Sequence, residues 1–340
     1  MRLLFITQKL DKNDGPLGFV HGWVAAFSEK YEKVTVICLE QGDVQLSQKV
    51  TILSLGKETR VSRLQYLFRF WKYIFRHRND YDVVLVHMNQ EYVLLGAFLW
   101  KLSGKRVGLW YNHSVGTWKT RIAMKLVDVV FHTSPYAFTA GTAKSQRMPA
   151  GIDLRLFFPQ EVARDETEVL FLGRIAPIKG LHVLVEAFEI LKPHSSLHLS
   201  VYGSSPSEHT EYETELLAKA LKQSERLSFS PGVPNTQTPI LYSRAGMFVN
   251  LTPAGNYDKT VLEAMACGAL VVLSSPAFSD IVPPDFFFTE NNPRSLADAL
   301  LRVHALSAED REVMRVRYRR YVQEYHSLDG LTQALQKYLA

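Results

Sequence analysis

Residues 170–188 read LFLGRIAPIKGLHVLVEAF, and they give the clearest indication of the fold. The apolar run that ends at Leu172 has the length and composition of a buried strand, and Gly173 permits a tight exit from it. After Lys179 the apolar residues recur with helical period. Arg174 and Lys179 stand between strand and helix, where free amides and the helix dipole favour an anion. A solvated loop with two ordinary surface cations would explain the spacing of these cations equally well.

The order of strand, turn and helix is repeated along the whole chain of 340 residues. Short runs rich in Val, Ile, Leu and Phe alternate with longer stretches of helical period, which predicts parallel sheets covered by helices on both faces. A chain of this length usually forms two domains. The segment PAGIDLRLFFP, residues 149–159, has turn formers at both ends, so we place the junction there. The predicted domains are residues 1–155 and 156–325, followed by a last amphipathic helix at about 326–340.

The individual elements follow from the same pattern. In the first domain we predict strands at Arg2–Thr7, Lys33–Leu39, Val50–Leu53, Val83–His87, Val107–Trp110 and Asp128–Thr133, with helices at Phe19–Lys30, Ser62–Arg78, Glu91–Ser103 and Pro135–Ala143. In the second we predict strands at Val169–Leu172, Leu197–Tyr202, Leu227–Phe229, Met247–Asn250 and Ala269–Leu273. The helices predicted there are Lys179–Leu191, Tyr212–Gln223, Pro239–Tyr242, Thr260–Cys267, Pro293–His304 and Glu309–Tyr325. Ligands of doubly wound sheets bind at the carboxyl ends of the strands.

The composition is that of a globular protein, with 46% hydrophobic and 21% charged residues. Cys38 and Cys267 lie far apart, which fits a reducing compartment and gives no disulfide framework or metal-ligand spacing. The opening MRLLFITQKLD is too short for a signal-peptide core, and the longest apolar run, around Tyr92–Leu102, is shorter than the roughly 20 residues of a membrane span. We therefore expect a cytoplasmic protein. The net charge of +5 favours an anionic partner, but no recognisable nucleic-acid-binding module accompanies it, so we expect no nucleic acid partner.

Residues 250–275, NLTPAGNYDKTVLEAMACGALVVLSS, are the second informative stretch. A strand ends at Asn250, a loop follows, and a short helix carries Glu263 and ends before a glycine. The amides near Lys259 and Thr260 are expected to form another anion site. Glu263, one turn further along, is placed to accept two hydrogen bonds from a ribose diol. Taken alone, Glu263 is equally well explained as a carboxylate on the helix surface.

Together the two stretches resemble the carboxyl-terminal domain of retaining glycosyltransferase family 4, whose members have the GT-B fold. In this fold two doubly wound, Rossmann-like α/β domains face each other across a cleft. The GR…KG segment of that family holds the donor diphosphate and is matched by Arg174 and Lys179, and its EAMACG helix supplies a ribose-binding glutamate, matched by Glu263. The junction segment is similar to the family's linker, and FSPGV at 229–233 is similar to its base-binding loop. The resemblance further implies that the last helix packs back onto the first domain.

The resemblance implies a complete set of site residues. For donor binding these are Gly15, Gly18, Gly173, Gly203, Val233, Pro234, Asp258, Lys259, Thr260 and Glu263. Arg174, Lys179 and His113 are the expected catalytic residues, and His87, Asn89 and Glu91 are expected on the acceptor side. Gly15 and Gly18 follow the first strand, where glycines let backbone approach a diphosphate, although an ordinary strand-to-helix turn also explains them. His113, His87, Asn89 and Glu91 follow strands of the first domain, and a structural role is the alternative for each.

One position departs from the family pattern. Family members commonly have a second glutamate eight residues before the ribose-binding one, and that glutamate contacts the transferred sugar. Here the position is Gly255, and Asp258 and Lys259 follow it. This substitution leaves the sugar open, and it suggests a catalytically inactive nucleotide-sugar-binding scaffold as one alternative function.

Two other signals have competing explanations. Asp80-Tyr81-Asp82 spells the D-x-D triplet of metal-dependent glycosyltransferases, but it precedes a predicted strand, so we interpret it as a turn and expect neither a metal nor a cofactor. The helix at 62–78 mixes five cations with large apolar residues, as helices that lie on anionic membranes do. Packing of its apolar side against the sheet is the alternative.

The resemblance implies a retaining, metal-independent transferase that moves a hexose from a UDP- or GDP-linked sugar to a glycan or lipid-linked acceptor. Such a reaction belongs to the synthesis of cell-surface polysaccharides or glycoconjugates, and the enzyme would work in the cytoplasm or on the inner face of the membrane. A sugar-nucleotide epimerase shares the architecture and is the other alternative. A redox enzyme of Rossmann type would need G-x-G-x-x-G after the first strand, which residues 7–18 do not supply.

Overall fold

The structure, a computed structural model, describes residues 1–191, 195–221, 225–253 and 257–340. Its contacts divide the chain into two compact units. Unit 1 consists of Met1–Gly151 together with Ser327–Ala340, and unit 2 consists of Ile152–His326. Each unit is built on a parallel β-sheet with helices packed against it, so the predicted α/β fold with two parallel sheets is confirmed.

Unit 1 contains a seven-stranded sheet. Its strands are β1 (Leu3–Leu10), β2 (Val34–Gln41), β3 (Val50–Ser54), β4 (Val83–His87), β5 (Arg106–Trp110), β6 (Val129–His132) and β7 (Ser145–Arg147). They lie in the order β3-β2-β1-β4-β5-β6-β7 and pair in parallel. The winding reverses between β1 and β4, and ligands of such sheets bind beyond the carboxyl ends of the strands at this switch point.

Helices cover both faces of this sheet. On one face lie α1 (Phe19–Lys30) and the last helix of the chain, α11 (Leu328–Leu339), and on the other lie α2 (Arg63–Arg76), α3 (Gln90–Leu102) and α4 (Trp118–Leu126). Successive side chains of β1 supply the two cores in turn, since strand residues alternate between faces. Phe5 packs in the cluster of α1 and α11, whereas Leu4 and Ile6 pack in the cluster of α2, α3 and α4.

Unit 2 contains a five-stranded sheet. Its strands are β8 (Asp165–Leu172), β9 (His198–Tyr202), β10 (Leu227–Ser230), β11 (Ala245–Asn250) and β12 (Leu270–Leu273), in the order β10-β9-β8-β11-β12. Its helices are α5 (Leu181–Leu191), α6 (Thr210–Leu221), α7 (Thr238–Arg244), α8 (Lys259–Ala266), α9 (Pro293–His304) and α10 (Ala308–Tyr325). The switch point of this sheet lies between β8 and β11, so the two motifs that follow these strands meet there.

The predicted helix at Pro135–Ala143 is wrong. These residues form a series of turns, and side-chain hydrogen bonds hold them there: the Thr139 hydroxyl donates to the Tyr111 carbonyl oxygen at 2.9 Å, and the Ser134 hydroxyl accepts from the Tyr136 amide at 3.1 Å. Such bonds offer the backbone an alternative to a helical ladder. Two elements of unit 1, α4 and the short edge strand β7, were not predicted.

The triplet Asp80-Tyr81-Asp82 lies in the connection between α2 and β4, as predicted. Asp82 accepts hydrogen bonds from the Arg2 backbone and guanidinium, and Asp80 pairs with Lys33 and His77. Both carboxylates therefore bind residues that directly precede strands, Arg2 before β1 and Lys33 before β2. Among the described residues, no helix is long and apolar enough to cross a membrane.

Candidate functional site

The candidate site of unit 2 begins with two glycine turns at the carboxyl ends of β8 and β9. Gly173 donates its amide to the Tyr202 carbonyl oxygen at 3.1 Å, and Ile175 donates to the Ser204 carbonyl oxygen at 3.1 Å. A Cβ at Gly203 would collide with the carbonyl oxygen of Gly173. The absence of a side chain at Gly203 thus allows the two predicted donor-site turns to lie against each other.

The turn after β8 presents the two predicted catalytic cations. Arg174 is exposed, and its side chain forms no ion pair with any residue that the structure describes. Lys179 ends a short 3₁₀ turn, and Gly180 follows with φ +66° before α5 begins. A left-handed conformation at this point requires glycine. Lys179 therefore stands two residues before the first residue of α5, close to the predicted helix start.

Lys179 contacts the second motif through Asp258. The Nζ atom of Lys179 donates to Asp258 Oδ2 at 2.9 Å and to Thr252 Oγ1 at 3.2 Å. Thr252 Oγ1 and Asn250 Nδ2 also donate to the same carboxylate oxygen, at 3.0 and 3.3 Å. The structure thus brings Lys179 and Asp258 together, although the sequence analysis placed them in separate motifs.

The other oxygen of Asp258 caps α8. It accepts from the Thr260 amide at 3.3 Å and from the Thr260 hydroxyl at 3.0 Å. Burial alone would raise the pKa of Asp258, but the charge and hydrogen bond of Lys179 and the bonds from Thr252 and Thr260 lower it well below the usual range. Asp258 is therefore a fixed negative charge between a predicted phosphate-binding lysine and the first turn of a helix. We predicted that the Thr260 amide forms part of an anion site, but in the structure it donates to Asp258 instead.

Glu263 lies one turn into α8 and is buried. Its Oε2 lies 3.4 Å from the Tyr242 hydroxyl and its Oε1 lies 3.5 Å from Asn235 Nδ2, so both contacts are at the long end of hydrogen-bond range. Burial raises the pKa of Glu263, and the attraction of Lys259 opposes that rise. Burial in turn lowers the pKa of Lys259, its neighbour one helical turn before. Glu263 is consequently a buried carboxyl with a raised pKa and with two long hydrogen-bond contacts.

Val233 and Pro234 lie in the loop after β10. This loop is tied to the second glycine turn, because the Gly232 amide donates to Ser204 Oγ at 3.2 Å. Asn235 follows it directly and contacts Glu263. The predicted base-binding and ribose-binding residues are therefore neighbours. Gly255, where the family pattern departs, lies outside the described residues.

In unit 1 the predicted residues lie at the carboxyl ends of β1, β4 and β5. Gly15 and Gly18 belong to the connection from β1 to α1, and Gly18 precedes α1 with φ −56°. A Cβ at Gly15 would meet no atom within 4 Å. Neither glycine is needed for a left-handed turn, and the space at Gly15 is open.

His87 ends β4 and is buried, 5% exposed, against the rings of Phe5 and Trp23. Its Nδ1 lies 3.2 Å from Thr7 Oγ1. This environment favours a packing role for His87 over contact with an acceptor. Asn89 is half-buried and precedes α3, whose first turn carries the exposed Glu91.

His113 is exposed in the loop between β5 and α4, with its ring against Tyr111 at 5.4 Å between centroids. Its carbonyl oxygen accepts from the Phe138 amide at 2.8 Å. His113 and Glu91 thus have exposed side chains, whereas His87 is buried.

A charged network after β1 was not predicted from the sequence. Lys9 pairs with Asp14 at 2.8 Å and with Glu40 at 3.1 Å, and Lys57 pairs with Glu40 at 3.0 Å. The hydrogen bond to Asp14 is the largest cause that raises the pKa of Lys9. Asp14 also accepts from the Leu17 amide at 2.7 Å, so the network fixes the loop that carries Gly15. Among the described residues, no three His, Cys, Asp or Glu side chains group as metal ligands.

Comparisons with known proteins agree with this geometry. The family model of glycosyl transferases group 1 matches residues 154–321, and the model of glycosyl transferase 4-like proteins matches residues 13–109. Mannosylfructose-phosphate synthase of Agrobacterium fabrum is 31% identical over 146 residues, which cover 37% of this chain and 32% of that protein. The lipopolysaccharide core biosynthesis mannosyltransferase LpcC of Rhizobium leguminosarum is 26% identical over 73% of this chain and 74% of its own. The chain spans about a third of the length of the first of these relatives and about three quarters of the second.

Solved structures match nearly the whole chain. HepE of Anabaena, crystallised with UDP and glucose, has a TM-score of 0.77 at 16% identity and covers 98% of both chains. Sucrose-phosphate synthase of Thermosynechococcus elongatus has a TM-score of 0.77 at 18% identity over 99% of this chain and 97% of its own. At these identities the structures establish the fold. That fold is the GT-B fold. The two family models show that the chain belongs to the group 1, or family 4, glycosyltransferases.

Proposed function

We propose that this protein transfers a hexose from a UDP- or GDP-linked sugar to a glycan or lipid-linked acceptor. The observation that carries the proposal is the contact of Lys179 with Asp258, the N-cap of α8, at the switch point of unit 2. Arg174 is exposed in the same turn as Lys179, and buried Glu263 lies one turn into α8. Anabaena HepE, which has the same fold, binds UDP-glucose. Its ligand supports a nucleotide sugar as the donor here.

The donor would lie across the carboxyl edge of the unit 2 sheet. Arg174 grips the diphosphate bidentately, and Lys179 adds a compact charge. Glu263 accepts hydrogen bonds from the ribose diol, which replace its long contacts to Tyr242 and Asn235. The base rests on the loop of Val233 and Pro234, beside Asn235.

Catalysis would depend on charge that develops as the bond between sugar and phosphate breaks. Arg174 and Lys179 stabilise the leaving diphosphate more strongly in the transition state than in the ground state. We propose retention of the anomeric configuration, with an oxygen of the leaving phosphate taking the acceptor proton. These two cations, in place of a metal ion, neutralise the leaving group in this scheme, and no cofactor is required.

The acceptor would be bound by unit 1, where His113, Asn89 and Glu91 follow β5 and β4. We propose a role in the synthesis of cell-surface polysaccharide or glycoconjugate. LpcC, a lipopolysaccharide core mannosyltransferase, supports this class of acceptor. The two free, buried cysteines, one in each unit, are compatible with a reducing cytoplasm, which we propose as the location.

The first experiment is a thermal-shift panel of UDP, GDP and ADP with their common sugar conjugates, with and without EDTA. Binding to the folded state alone raises Tm by mass action. We expect one nucleotide series to raise Tm equally in both conditions. A shift that EDTA abolishes would contradict metal independence, and no shift at all would contradict the donor site.

Transfer is then measured in three variants with the nucleotide sugar so identified. We expect Arg174→Ala and Lys179→Ala each to lower kcat by about a hundredfold or more, the usual effect of removing one oxyanion donor. Lys219→Ala removes an exposed lysine of the same unit, paired with Glu186 at 3.3 Å, and should leave transfer unchanged. Near-normal turnover in both site variants would overturn the mechanism. Binding without turnover in the unmodified protein would favour the scaffold, and conversion of free nucleotide sugar without acceptor would favour the epimerase.

A further inference from the structure

Helix α2 has two separate apolar sides. Phe70 and Ile74 are buried in the core beneath the helix, and Tyr66 and Tyr73 pack beside them. These four residues account for the packing of α2 on the sheet. Packing against the sheet therefore does not explain the other large apolar residues of this helix.

The second apolar side of α2 faces outward. Leu64, Phe68, Trp71 and Phe75 recur at spacings of four, three and four residues, which places them on one face of the helix. Their exposed fractions are 66%, 68%, 45% and 58%. Single exposed apolar residues are common on protein surfaces, but a stripe of four large ones marks an interaction surface.

The two neighbouring helices continue this surface. Phe98 and Leu102 of α3 are 78% and 71% exposed, and Trp118 and Ile122 of α4 are 66% and 42% exposed. Trp71 donates its indole N–H to the Leu95 carbonyl oxygen at 3.2 Å, which fixes α2 beside α3. The outward side of α2, α3 and α4 is called the α2–α4 face below.

The charges of the α2–α4 face are almost all positive. Its exposed charged residues are Arg63, Lys72, Arg76, Lys101, Arg121 and Lys125, with Glu91 as the exposed carboxylate. The opposite face of the same sheet provides an internal comparison. There α1 and α11 expose Glu29, Lys30, Asp329 and Lys337, two of each sign, and no large apolar side chain.

We propose that the α2–α4 face binds the surface of an anionic lipid bilayer. Large apolar side chains that project from parallel helices enter the boundary between headgroups and acyl chains, while flanking Lys and Arg contact anionic headgroups. A nucleic acid duplex would be attracted by the same cations, but its phosphate-lined exterior provides no apolar surface for the stripe. The combination of bulky apolar residues with a nearly uniform positive charge therefore identifies a bilayer as the occupant.

This surface reaches the acceptor edge of unit 1. In a parallel sheet the helices begin at the carboxyl ends of the strands, so the starts of α3 and α4 lie at the edge that carries Glu91 and His113. The loop of His113 also carries Val115, which is 74% exposed. A bilayer on the α2–α4 face would thus meet the edge where the acceptor is expected. This consequence, a membrane-anchored acceptor, rests on the proposed function, whereas binding to the bilayer does not.

The test is co-sedimentation of the full chain with vesicles of phosphatidylcholine, alone and with phosphatidylglycerol. We expect binding to the anionic vesicles only, and weaker binding as salt is raised. The triple variant Arg63→Gln, Lys72→Gln and Arg76→Gln should bind about a hundredfold more weakly at low salt, since each cation near an anionic surface contributes about fivefold. The double variant Leu64→Ser and Phe68→Ser should lose binding while its nucleotide-induced thermal shift is retained.

A matched control lies on α10 in unit 2. Val313 and Val316 are each 60% exposed beside Arg317, so Val313→Ser, Val316→Ser and Arg317→Gln remove a similar set of side chains and should leave vesicle binding unchanged. Equal binding to neutral and anionic vesicles, or unchanged binding of both α2 variants, would overturn the proposal. A dimer that these variants dissociate, in the absence of vesicle binding, would assign the face to a second copy of the chain. Arg174→Ala should lower kcat by about a hundredfold or more and leave vesicle binding intact, so failure of the two proposals can be told apart.

Discussion

At the scale of single residues, Asp258 links the two motifs of the donor site. One of its oxygens accepts from Lys179 and the other caps α8. A carboxylate beside Lys179, the lysine that we propose binds the donor phosphate, lowers the positive potential of the proposed site. Because Lys179 has four rotatable bonds, an ion pair that holds its ammonium group in place removes an entropy cost from donor binding. We interpret Asp258 as a positioning residue for Lys179.

The prediction for Asp258 uses a double-mutant cycle. Asp258→Asn retains a good N-cap for α8 but loses the charge, and Lys179→Met removes the partner. We expect Asp258→Asn to lower the free energy of unfolding by about 1–3 kcal/mol at neutral pH, because it leaves a half-buried ammonium group without its counter-charge. In the Lys179→Met background, Asp258→Asn should lower the free energy of unfolding by a clearly smaller amount. Urea unfolding of the four proteins measures the coupling, and additive effects would show that the two residues are independent.

The pH dependence of this pair follows from the lowered pKa of Asp258. A carboxyl with a lowered pKa in the folded state stabilises the fold at pH values above its ordinary pKa. That stabilisation is lost only as the pH falls below the usual aspartate range. The coupling energy between Asp258 and Lys179 should consequently stay constant from neutral to mildly acidic pH.

The raised pKa of Glu263 predicts that nucleotide binding, unlike this coupling energy, depends on pH in this range. Its raised pKa means that it takes up a proton at higher pH than an ordinary glutamate, and the protonated carboxyl is a poorer acceptor for a ribose diol. Affinity for the identified nucleotide should therefore weaken as the pH falls from alkaline to mildly acidic values. Isothermal titration calorimetry at a series of pH values across this range measures the affinity. Glu263→Gln should bind more weakly at alkaline pH and lose most of the pH dependence.

Lys259→Met provides the control for that assignment. Lys259 attracts the charge of Glu263, so its removal should raise the pKa of Glu263 further and move the loss of affinity to higher pH. A pH profile that is the same in the unmodified protein, Glu263→Gln and Lys259→Met would mean that another group titrates.

Some residues of the candidate site could be predicted from local sequence pattern, and others could not because only the fold brings them there. Arg174, Lys179 and Glu263 occur at fixed distances from a strand end or a helix start, so their neighbourhood can be predicted from local pattern. Thr252, which accepts a hydrogen bond from Lys179, and Tyr242, which contacts Glu263, are brought to them by tertiary packing, which no local pattern specifies. The pairing of Lys179 with Asp258, 79 positions apart, depends on β8 and β11 being neighbours.

At the scale of elements, errors arose where side chains compete with the backbone. The wrong helix at 135–143 contains threonines that bond to backbone carbonyls, and the missed helix α4 begins with a capping box of two threonines, Thr117 and Thr120. A threonine replaces the usual Glu or Gln at the third helical position, so the familiar start signal is absent. The edge strand β7 has no apolar run because it is three polar residues long.

Two helical glycines of unit 1 provide a prediction at this scale. A Cβ at Gly22 in α1 would meet no atom within 4 Å, whereas one at Gly96 in α3 would collide with the buried ring of Trp100. Gly22→Ala should raise the free energy of unfolding by about 0.5–1 kcal/mol through helix propensity. Gly96→Ala should lower it by about 1–3 kcal/mol through overpacking. Thermal unfolding of both variants checks the signs, and equal shifts would show that propensity alone decides.

At the scale of the whole molecule, the last fourteen residues complete the fold of the unit that contains the first residues. Leu331 and Leu335 of α11 are fully buried in the cluster that contains Phe5 and Trp23. The amphipathic pattern of α11 is visible in the sequence, but its partner is not, because the same leucine spacing would fit either sheet. Family resemblance, rather than periodicity, supplied the expectation that it packs on the first domain.

The two units can be observed separately, which makes the role of α11 testable in the intact chain. All five tryptophans lie in unit 1, at positions 23, 71, 100, 110 and 118, so tryptophan fluorescence reports unfolding of that unit alone. Leu331→Ala and Leu335→Ala should each destabilise unit 1 by about 2–5 kcal/mol, since each leaves a cavity in a packed core. Gln333→Ala, at an exposed position of the same helix, should have little effect.

Nucleotide binding, which we propose takes place in unit 2, is measured in the same proteins. If α11 belongs to the core of unit 1, the leucine variants should lower the midpoint of the fluorescence transition and bind the nucleotide with unchanged affinity at temperatures below that transition. Because a domain is stable by only about 5–15 kcal/mol, the double variant should unfold unit 1 near physiological temperature. An unchanged fluorescence midpoint together with weaker nucleotide binding would mean that α11 stabilises unit 2 instead, and it would contradict the packing described for Leu331 and Leu335.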